Sequence, residues 1–328
     1  MINGELQSDN QILVSILMTV YNDLSVLDIA IKSVIHQTYP NWEMLILDNS
    51  DNNPNSWTVL TAYAVKDERI KVFKSPGHNG KTNVGWCKGT EILLEKAKGK
   101  YAFLLAADDF IDEHSFLRIA NESSQNDPDV IWIGNAYTTY ENGKFEVIDA
   151  VIPEYKVFTK EDNPEKIDYI LKNVYYNSMF HYSKVDFLKK YNINFFYPYY
   201  KDCASMTAAL CFSDKVVVCD DILYYLTLNT SQTSGFVSVN FAEMFASQWE
   251  LIKNEYSKSN VTDNEYYHYA ALRIFNNFNS SFKHFKDGGP VRDEYMNPIE
   301  ISPTDRVNLI NEIMDDTRIK ELIYYSQA

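Results

Sequence analysis

Two adjacent carboxylates, Asp108 and Asp109, follow directly on the apolar run Tyr101–Ala107 (YAFLLAA). Side by side they repel each other unless a cation relieves the pair. Hard oxygen donors of this kind suit Mg²⁺ or Mn²⁺, which bind one or two carboxylates and take further ligands from substrate phosphates. An ion held there would act as a Lewis acid on a departing diphosphate. A solvated strand-to-helix turn with an aspartate cap is the plainer reading of the same residues. Asp48 closes the run EMLILD and could accept a hydrogen bond from a base N–H or a ribose hydroxyl, or simply form a turn. Thr19 and Tyr21 stand past another apolar run, where the Tyr21 ring could pack on a base or the two could serve as core and cap. Asp202, in YYKDCASMTA, opens a helical pattern. It fits a general base that takes a proton from an acceptor hydroxyl, a role worth about 10²–10⁴-fold. It fits equally a first-turn acid favoured by the helix dipole. Lys81 and Lys88 lie in the glycine-rich stretch SPGHNGKTNVGWCK and could neutralise a diphosphate or merely be exposed.

Other chemistries lack their residues. Gly80-Lys81-Thr82 matches the tail of a phosphate-binding P-loop, but Ser75 stands where its first glycine is needed and Gly85 interrupts the required helix. No His-x-x-x-His pair, Gly-x-Ser-x-Gly elbow or Gly-x-Gly-x-x-Gly turn after the first strand occurs. The four cysteines form no Cys-x-x-Cys pair and are expected to be reduced thiols.

The elements that must position these groups follow from hydrophobic period. Ile12–Met18, Glu43–Asp48, Ile70–Lys74, Tyr101–Ala107 and Asp129–Gly134 are short apolar runs expected as strands. Between them, Leu27, Ala30, Ile31, Val34 and Ile35 form a helical stripe, with Asn22 and Asp23 as candidate caps. Further helices are expected over Trp57–Val65, Gly89–Lys98 and Glu113–Asn121. Strands alternating with helices over the first ~135 residues imply a parallel, doubly wound sheet, which binds ligands at the carboxyl ends of its strands. Thr19–Asn22, Asp48–Asp51 and Asp108-Asp109 all fall there. Lys215–Cys219 and Ile222–Leu226 read as later strands. The remainder is helical, with Phe275, Phe278, Phe282 and Phe285 spaced for core packing. Ser302-Pro303-Thr304-Asp305 is a helix start, and Val307, Ile310 and Met314 are the stripe expected to be buried behind it.

The chain has 328 residues, enough for roughly two domains, and its net charge of −15 disfavours general nucleic-acid binding. Met1–Asn10 lacks the basic start and apolar run of a signal peptide, and the longest near-apolar stretch, Ile12–Val20, is far short of a membrane span. A cytoplasmic protein is expected.

The runs Val14–Asn22 (VSILMTVYN), Ser33–Tyr39 (SVIHQTY), Trp42–Ser50 (WEMLILDNS) and Gly99–Asp109 (GKYAFLLAADD), in that order and spacing, resemble the family 2 inverting glycosyltransferases of the GT-A fold. The ending Ala106-Ala107-Asp108-Asp109 most resembles the branch acting on bacterial spore-coat polysaccharide. The resemblance covers about residues 12–235. It implies an α/β, Rossmann-like nucleotide-binding domain with a mostly parallel sheet over residues 1–238; the helical residues 239–328 form a C-terminal extension that falls outside it. By position it implies that Thr19, Val20, Tyr21 and Asp48 hold the nucleoside of a UDP- or dTDP-sugar. Asp108 would touch the ribose, Asp109 would bind Mn²⁺ or Mg²⁺, and Asp202 would be the base. Sugar would pass to a hydroxyl of a glycan or lipid-linked glycan, with no nucleic-acid partner. A peripheral contact with the inner face of the membrane and homo-oligomerisation stay open. So do a nucleotidyltransferase and an inactive binding module of the same fold. The chain departs from the family at Lys201, where a glutamate usually precedes the base, and at Asn229–Gln232, which lack the usual His or Arg. The loop after the third strand carries lysines in place of an arginine, and a lysine cannot replace a bidentate fork.

Overall fold

The computed structural model describes residues 11–22, 24, 26–51, 53, 55–77, 83–141, 144–173, 181–191, 193, 209–210, 212–228, 237–258, 264–292 and 298–327. The first half alternates as expected: β1 (Val14–Val20), α1 (Leu27–Ile35), β2 (Trp42–Asp48), α2 (Ser56–Lys66), β3 (Ile70–Lys74), α3 (Trp86–Lys96), β4 (Tyr101–Leu104), β5 (Phe110–Ile111), α4 (Ser115–Gln125) and β6 (Val130–Glu141). Then come β7 (Lys144–Val151), β8 (Lys156–Thr159), α5 (Asn163–Asn173), β9 (His181–Lys184), α6 (Val185–Lys190) and β10 (Lys215–Leu228). The large sheet runs β3-β2-β1-β4-β9-β6-β10-β5, with β7 added to β6 and β8 to β10. β3, β2, β1 and β4 pair in parallel. β9 is antiparallel to both β4 and β6, so β6 and its parallel neighbour β10 point the same way as the first four strands. Their carboxyl ends form one rim.

Alternation in β1 explains why the sheet is covered on both sides. Val14, Ile16, Met18 and Val20 enter one core with Ala30, Ile31 and Val34 of α1, while Leu17 enters the other with Leu93 and Leu94 of α3. α3 approaches closely: a Cβ on Gly89 would lie 2.6 Å from Thr19 Cγ2.

Several boundaries differ from expectation, each for a local reason. Neither expected cap serves α1: Val26 occupies its N-cap without a side-chain bond, and Asp23 lies outside the described residues. Asn22 instead takes a left-handed φ of 55° and donates its N–H to Ser50 Oγ, tying β1 to β2. α3 starts at Trp86, three residues before Gly89, because Gly85 supplies the φ of 77° at its cap. β4 stops at Leu104, opposite the start of β9, and the chain turns through Asp108 before β5 pairs antiparallel with β10. The two strands expected over 215–226 are one, bent by register shifts between Val218 and Tyr224 where Asp220 and Asp221 break the apolar run.

The end of the chain carries α7 (Phe241–Lys258), α8 (Asn264–Lys286), α9 (Pro303–Asp315) and α10 (Thr317–Gln327), with short strands β11 (Val237–Ser238), β12 (Val291–Arg292) and β13 (Pro298–Ile299). Phe278 and Phe285 are buried, and Phe275 and Phe282 pack against the same core, as their spacing predicts. Ser302 caps α9, its Oγ accepting from Asp305 N–H at 3.1 Å. The stripe on α9 is corrected: Ile313 is buried, whereas Val307 is 56% and Met314 41% exposed. α9 touches its neighbours along a narrow seam shifted by one residue, and Ile310 lies partly buried beside it.

Candidate active site

The rim of the sheet brings the ends of β1 and β2 beside the turn that carries the two aspartates. Thr19 and Val20 lie in β1 in register with Leu47 and Asp48 of β2. Val20 is wholly buried and its side chain belongs to the core, so only its backbone can meet a ligand. Tyr21 follows at the rim, 38% exposed, as a ring available for stacking must be. Burial, then the nearby Asp51 carboxylate, holds its phenol above the ordinary tyrosine range. Asp48 is held before any ligand arrives: Ser56 Oγ donates to its Oδ1 and Oδ2 at 2.9 and 3.0 Å, and Ser50 N–H donates to Oδ1 at 3.3 Å. A buried pair missed in the sequence fixes the neighbouring loop. Asn49 Nδ2 donates to Asn83 Oδ1 at 2.7 Å, and Val84 N–H donates back to Asn49 Oδ1 at 2.9 Å. These bonds join the end of β2 to the segment that opens α3.

Asp109 is the most constrained group of the site. It is only 3% exposed, and each of its oxygens accepts one hydrogen bond from β10: Oδ2 from the Tyr224 hydroxyl at 2.5 Å, Oδ1 from Thr227 N–H at 2.8 Å. The Tyr224 oxygen in turn accepts from Ala106 N–H at 3.4 Å. Burial first and the Asp108 charge second push the Asp109 carboxyl up to about 7, against the opposing pull of those two donors. Tyr224 and Thr227 escaped the sequence reading because they lie more than a hundred residues away on a strand with no motif.

A buried carboxylate raised in this way beside a half-buried one fits a hard divalent cation. Each Asp109 oxygen keeps a lone-pair direction beyond the bond it accepts, and Asp108 beside it is half-buried. Among the described residues no group of three or more His, Cys, Asp or Glu side chains could hold a metal by itself.

Lys88, in the first turn of α3, bonds Glu91 at 2.9 Å, so part of its charge is already answered. Lys81, Asp202 and Asn229–Gln232 lie outside the described residues. The structure therefore brings Thr19, Val20, Tyr21, Asp48, Asp108 and Asp109 to one rim and is silent on the base. No helix among the described residues is long and apolar enough to cross a membrane.

Comparison with known proteins agrees with this architecture. An uncharacterized glycosyltransferase of Haemophilus influenzae is 30% identical over 161 residues, 49% of this chain and 57% of that protein. An Escherichia coli protein named UDP-Glc:alpha-D-GlcNAc-diphosphoundecaprenol beta-1,3-glucosyltransferase WfaP is 31% identical over 102 residues, 30% of this chain and 36% of its own. The chain spans about half the length of the curated relatives it matches, 57% and 41% of two of them. Among solved structures, S. aureus TarS 1-349, crystallised with UDP-GlcNAc, superposes with a TM-score of 0.67 at 17% identity, covering 94% of this chain and 83% of TarS. The shared architecture is the GT-A fold. Residues 15–199, more than half of the chain, match the family described as glycosyl transferase family 2, and the chain belongs to that family.

Proposed function

We propose that this chain moves a sugar from a UDP- or dTDP-sugar to a hydroxyl of a glycan or lipid-linked glycan in bacterial surface polysaccharide synthesis, inverting the anomeric centre. The observation that carries this reading is the rim itself. A half-exposed aromatic ring and a pre-held carboxylate stand at the ends of β1 and β2, beside the buried Asp109 and half-buried Asp108 that follow β4. Those are the groups a nucleoside and its diphosphate require, in the order in which the ligand presents them. The names of the relatives, one a UDP-glucose enzyme and one crystallised with UDP-GlcNAc, support a uridine donor.

In this mechanism Tyr21 stacks on the base and Asp48, held by Ser56, accepts from a base N–H or ribose hydroxyl. Asp108 would touch the ribose, and Asp109 would hold Mg²⁺ or Mn²⁺, which when bound supplies positive charge to the diphosphate. Asp202 takes the proton of the acceptor hydroxyl. The oxygen attacks the anomeric carbon in line, the bond from that carbon to the diphosphate breaks, and its electron pair leaves with the nucleotide. No covalent enzyme intermediate is needed. A nucleotide-activated donor places the reaction in the cytoplasm, and a lipid-linked acceptor would draw the protein to the inner membrane face.

A thermal-shift panel of UDP, dTDP, GDP and their sugars, with and without Mn²⁺, tests the reading. Stabilisation by a uridine or thymidine diphosphate that needs Mn²⁺ is expected, since a ligand bound only by the folded state raises the melting temperature. Turnover that releases pyrophosphate in place of nucleoside diphosphate, or indifference to every nucleotide, would overturn it.

A further inference from the structure

Sheet order fixes the side from which an acceptor must come if the donor lies as proposed above. Asp48 and Tyr21 stand at β2 and β1, Asp108 and Asp109 follow β4, and the sheet then continues through β9, β6, β10 and β5. A nucleotide with its base at Tyr21 and its diphosphate at the aspartates directs its sugar toward β6, β10 and β5.

Four aromatic rings form one array on that side. Phe110 of β5 and Tyr225 of β10 stack with centroids 4.8 Å and planes 3° apart. Phe145 of β7 lies 4.5 Å from Phe110, and Tyr140 of β6 lies 4.6 Å from Phe145. A contact between β5 and β7, which flank β10 and β6 on opposite sides, requires the hairpin to curl over that face, as twisted sheets do. The array is bound by the chain to the site. Phe110 directly follows Asp109, and Tyr225 stands between Tyr224 and Thr227, the two residues that donate to Asp109. Adjacent strand residues face opposite sides, so Tyr225 presents its ring away from the side on which Tyr224 holds the carboxylate. The rings are not sealed as a core would be. Tyr140 is 42% exposed, and Phe110, Phe145 and Tyr225 are half-buried.

We propose that Phe110, Tyr225, Phe145 and Tyr140 form an acceptor subsite that takes the C–H face of a pyranose ring of the acceptor glycan. The inference rests on the donor reading for the side of approach. A pyranose suits the array because its axial C–H bonds, polarised by the ring's oxygens, present a weakly positive face to the negative face of an aromatic ring. An array of flat rings that begins at Phe110, the residue after Asp109, selects a ring-shaped acceptor over an open polyol chain.

Saturation-transfer NMR on the full chain tests this directly. The probes are methyl β-glucoside, methyl β-galactoside, the methyl β-glycoside of N-acetylglucosamine and methyl α-rhamnoside, with glycerol phosphate as the ring-free comparison. At least one pyranoside is expected to receive saturation at its ring C–H protons, and glycerol phosphate none. Tyr140→Ala and Phe145→Ala are each expected to weaken that pyranoside by about tenfold, roughly one stacking contact, while Tyr140→Phe keeps it. Tyr140 is exposed enough that its alanine variant folds, which a far-UV melt verifies. No saturation of any pyranoside, or saturation unchanged in both alanine variants, overturns the subsite. UDP titrated with Mn²⁺ against the wild-type protein reads the donor assignment separately. UDP binding without pyranoside binding sinks the subsite alone, and pyranoside binding without UDP binding sinks the donor reading alone.

Discussion

Asp109 and His181 are both buried titratable groups, and they set opposite pH dependences. The Asp109 carboxyl rises from an ordinary 3.8 to about 7 through burial and the Asp108 charge. A raised carboxyl binds its proton more tightly in the folded state, so its stabilising effect is full below about pH 4 and is lost as pH rises toward 7. In metal-free protein Asp109→Asn should therefore melt higher than wild type at pH 7, with the gap closing toward pH 4. The same variant should lose Mn²⁺-dependent UDP binding; equal UDP affinity in calorimetry with Mn²⁺ would remove Asp109 from the metal. His181 behaves in the other sense. Its ring is fully buried beside Trp132, centroids 5.2 Å apart, and burial lowers it from 6.5 to about 3. Its Nδ1 bonds Ser183 Oγ at 2.9 Å, while Nε2 has no partner among the described residues. The unfolded chain takes up a proton that the folded one refuses, so stability holds above about pH 6.5 and falls as pH drops toward 3. His181→Phe should flatten that acid limb in melts between pH 4 and 7, and an unchanged slope would show that other groups carry it. Only one of the two was legible in the sequence. Asp108-Asp109 announces itself by repulsion and position. His181 is an ordinary residue until three strands enclose it.

At the scale of elements, α3 shows how far spacing carries and where it stops. The helix was legible from its apolar period, and its closeness to β1 was not, because contact across the sheet leaves no local trace. Gly89 marks that contact: its missing side chain makes room for Thr19 and Leu47, whose nearest atoms lie 2.6 and 3.0 Å from where a methyl carbon would stand. Thr19 is β-branched and stiff about χ1, so it cannot turn aside cheaply. Gly89→Ala should cost about 1–3 kcal/mol by overpacking. It should also weaken UDP binding, because Thr19 and Val20 share the strand end proposed to receive the nucleoside. A variant that melts lower yet binds UDP as wild type does would place the contact in the core alone. β6 and β10 teach the same lesson from the other side. Asp129–Gly134 is the apolar part of a strand that continues to Glu141, since β7 and β10 supply partners that hold polar residues such as Asn135 and Thr138 in the ladder. Periodicity reads apolar side chains, and the apolar run ended before burial and pairing did, Asn135 and Thr138 being buried themselves.

At the scale of the whole molecule, one core runs from the large sheet into the last helix. Leu17 of β1, Leu45 of β2, Trp132 of β6, Phe245 and Trp249 of α7, Phe278 of α8 and Leu322 of α10 belong to a single contiguous cluster. α10 also packs on α7 through Trp249, whose indole N–H donates to Glu321 at 3.2 Å and whose ring lies 5.4 Å from Tyr325. A shift of composition and period near residue 238 divides the sequence, and that signal reports a change in kind of secondary structure, not in what the side chains touch. The energetics favour dependence. Burying one large apolar side chain contributes about 1.5–3 kcal/mol, and a folded domain is stable by only about 5–15 kcal/mol. Phe241, Phe245, Trp249, Ile274, Phe278 and Phe285 together are worth about as much as that whole margin, and all belong to the cluster. A chain ending at Ser238 should therefore aggregate or melt without a cooperative transition, and it should bind UDP with Mn²⁺ far more weakly than the full chain. A soluble 1–238 fragment with a sharp melt and full UDP affinity would show instead that α7–α10 form an appendage.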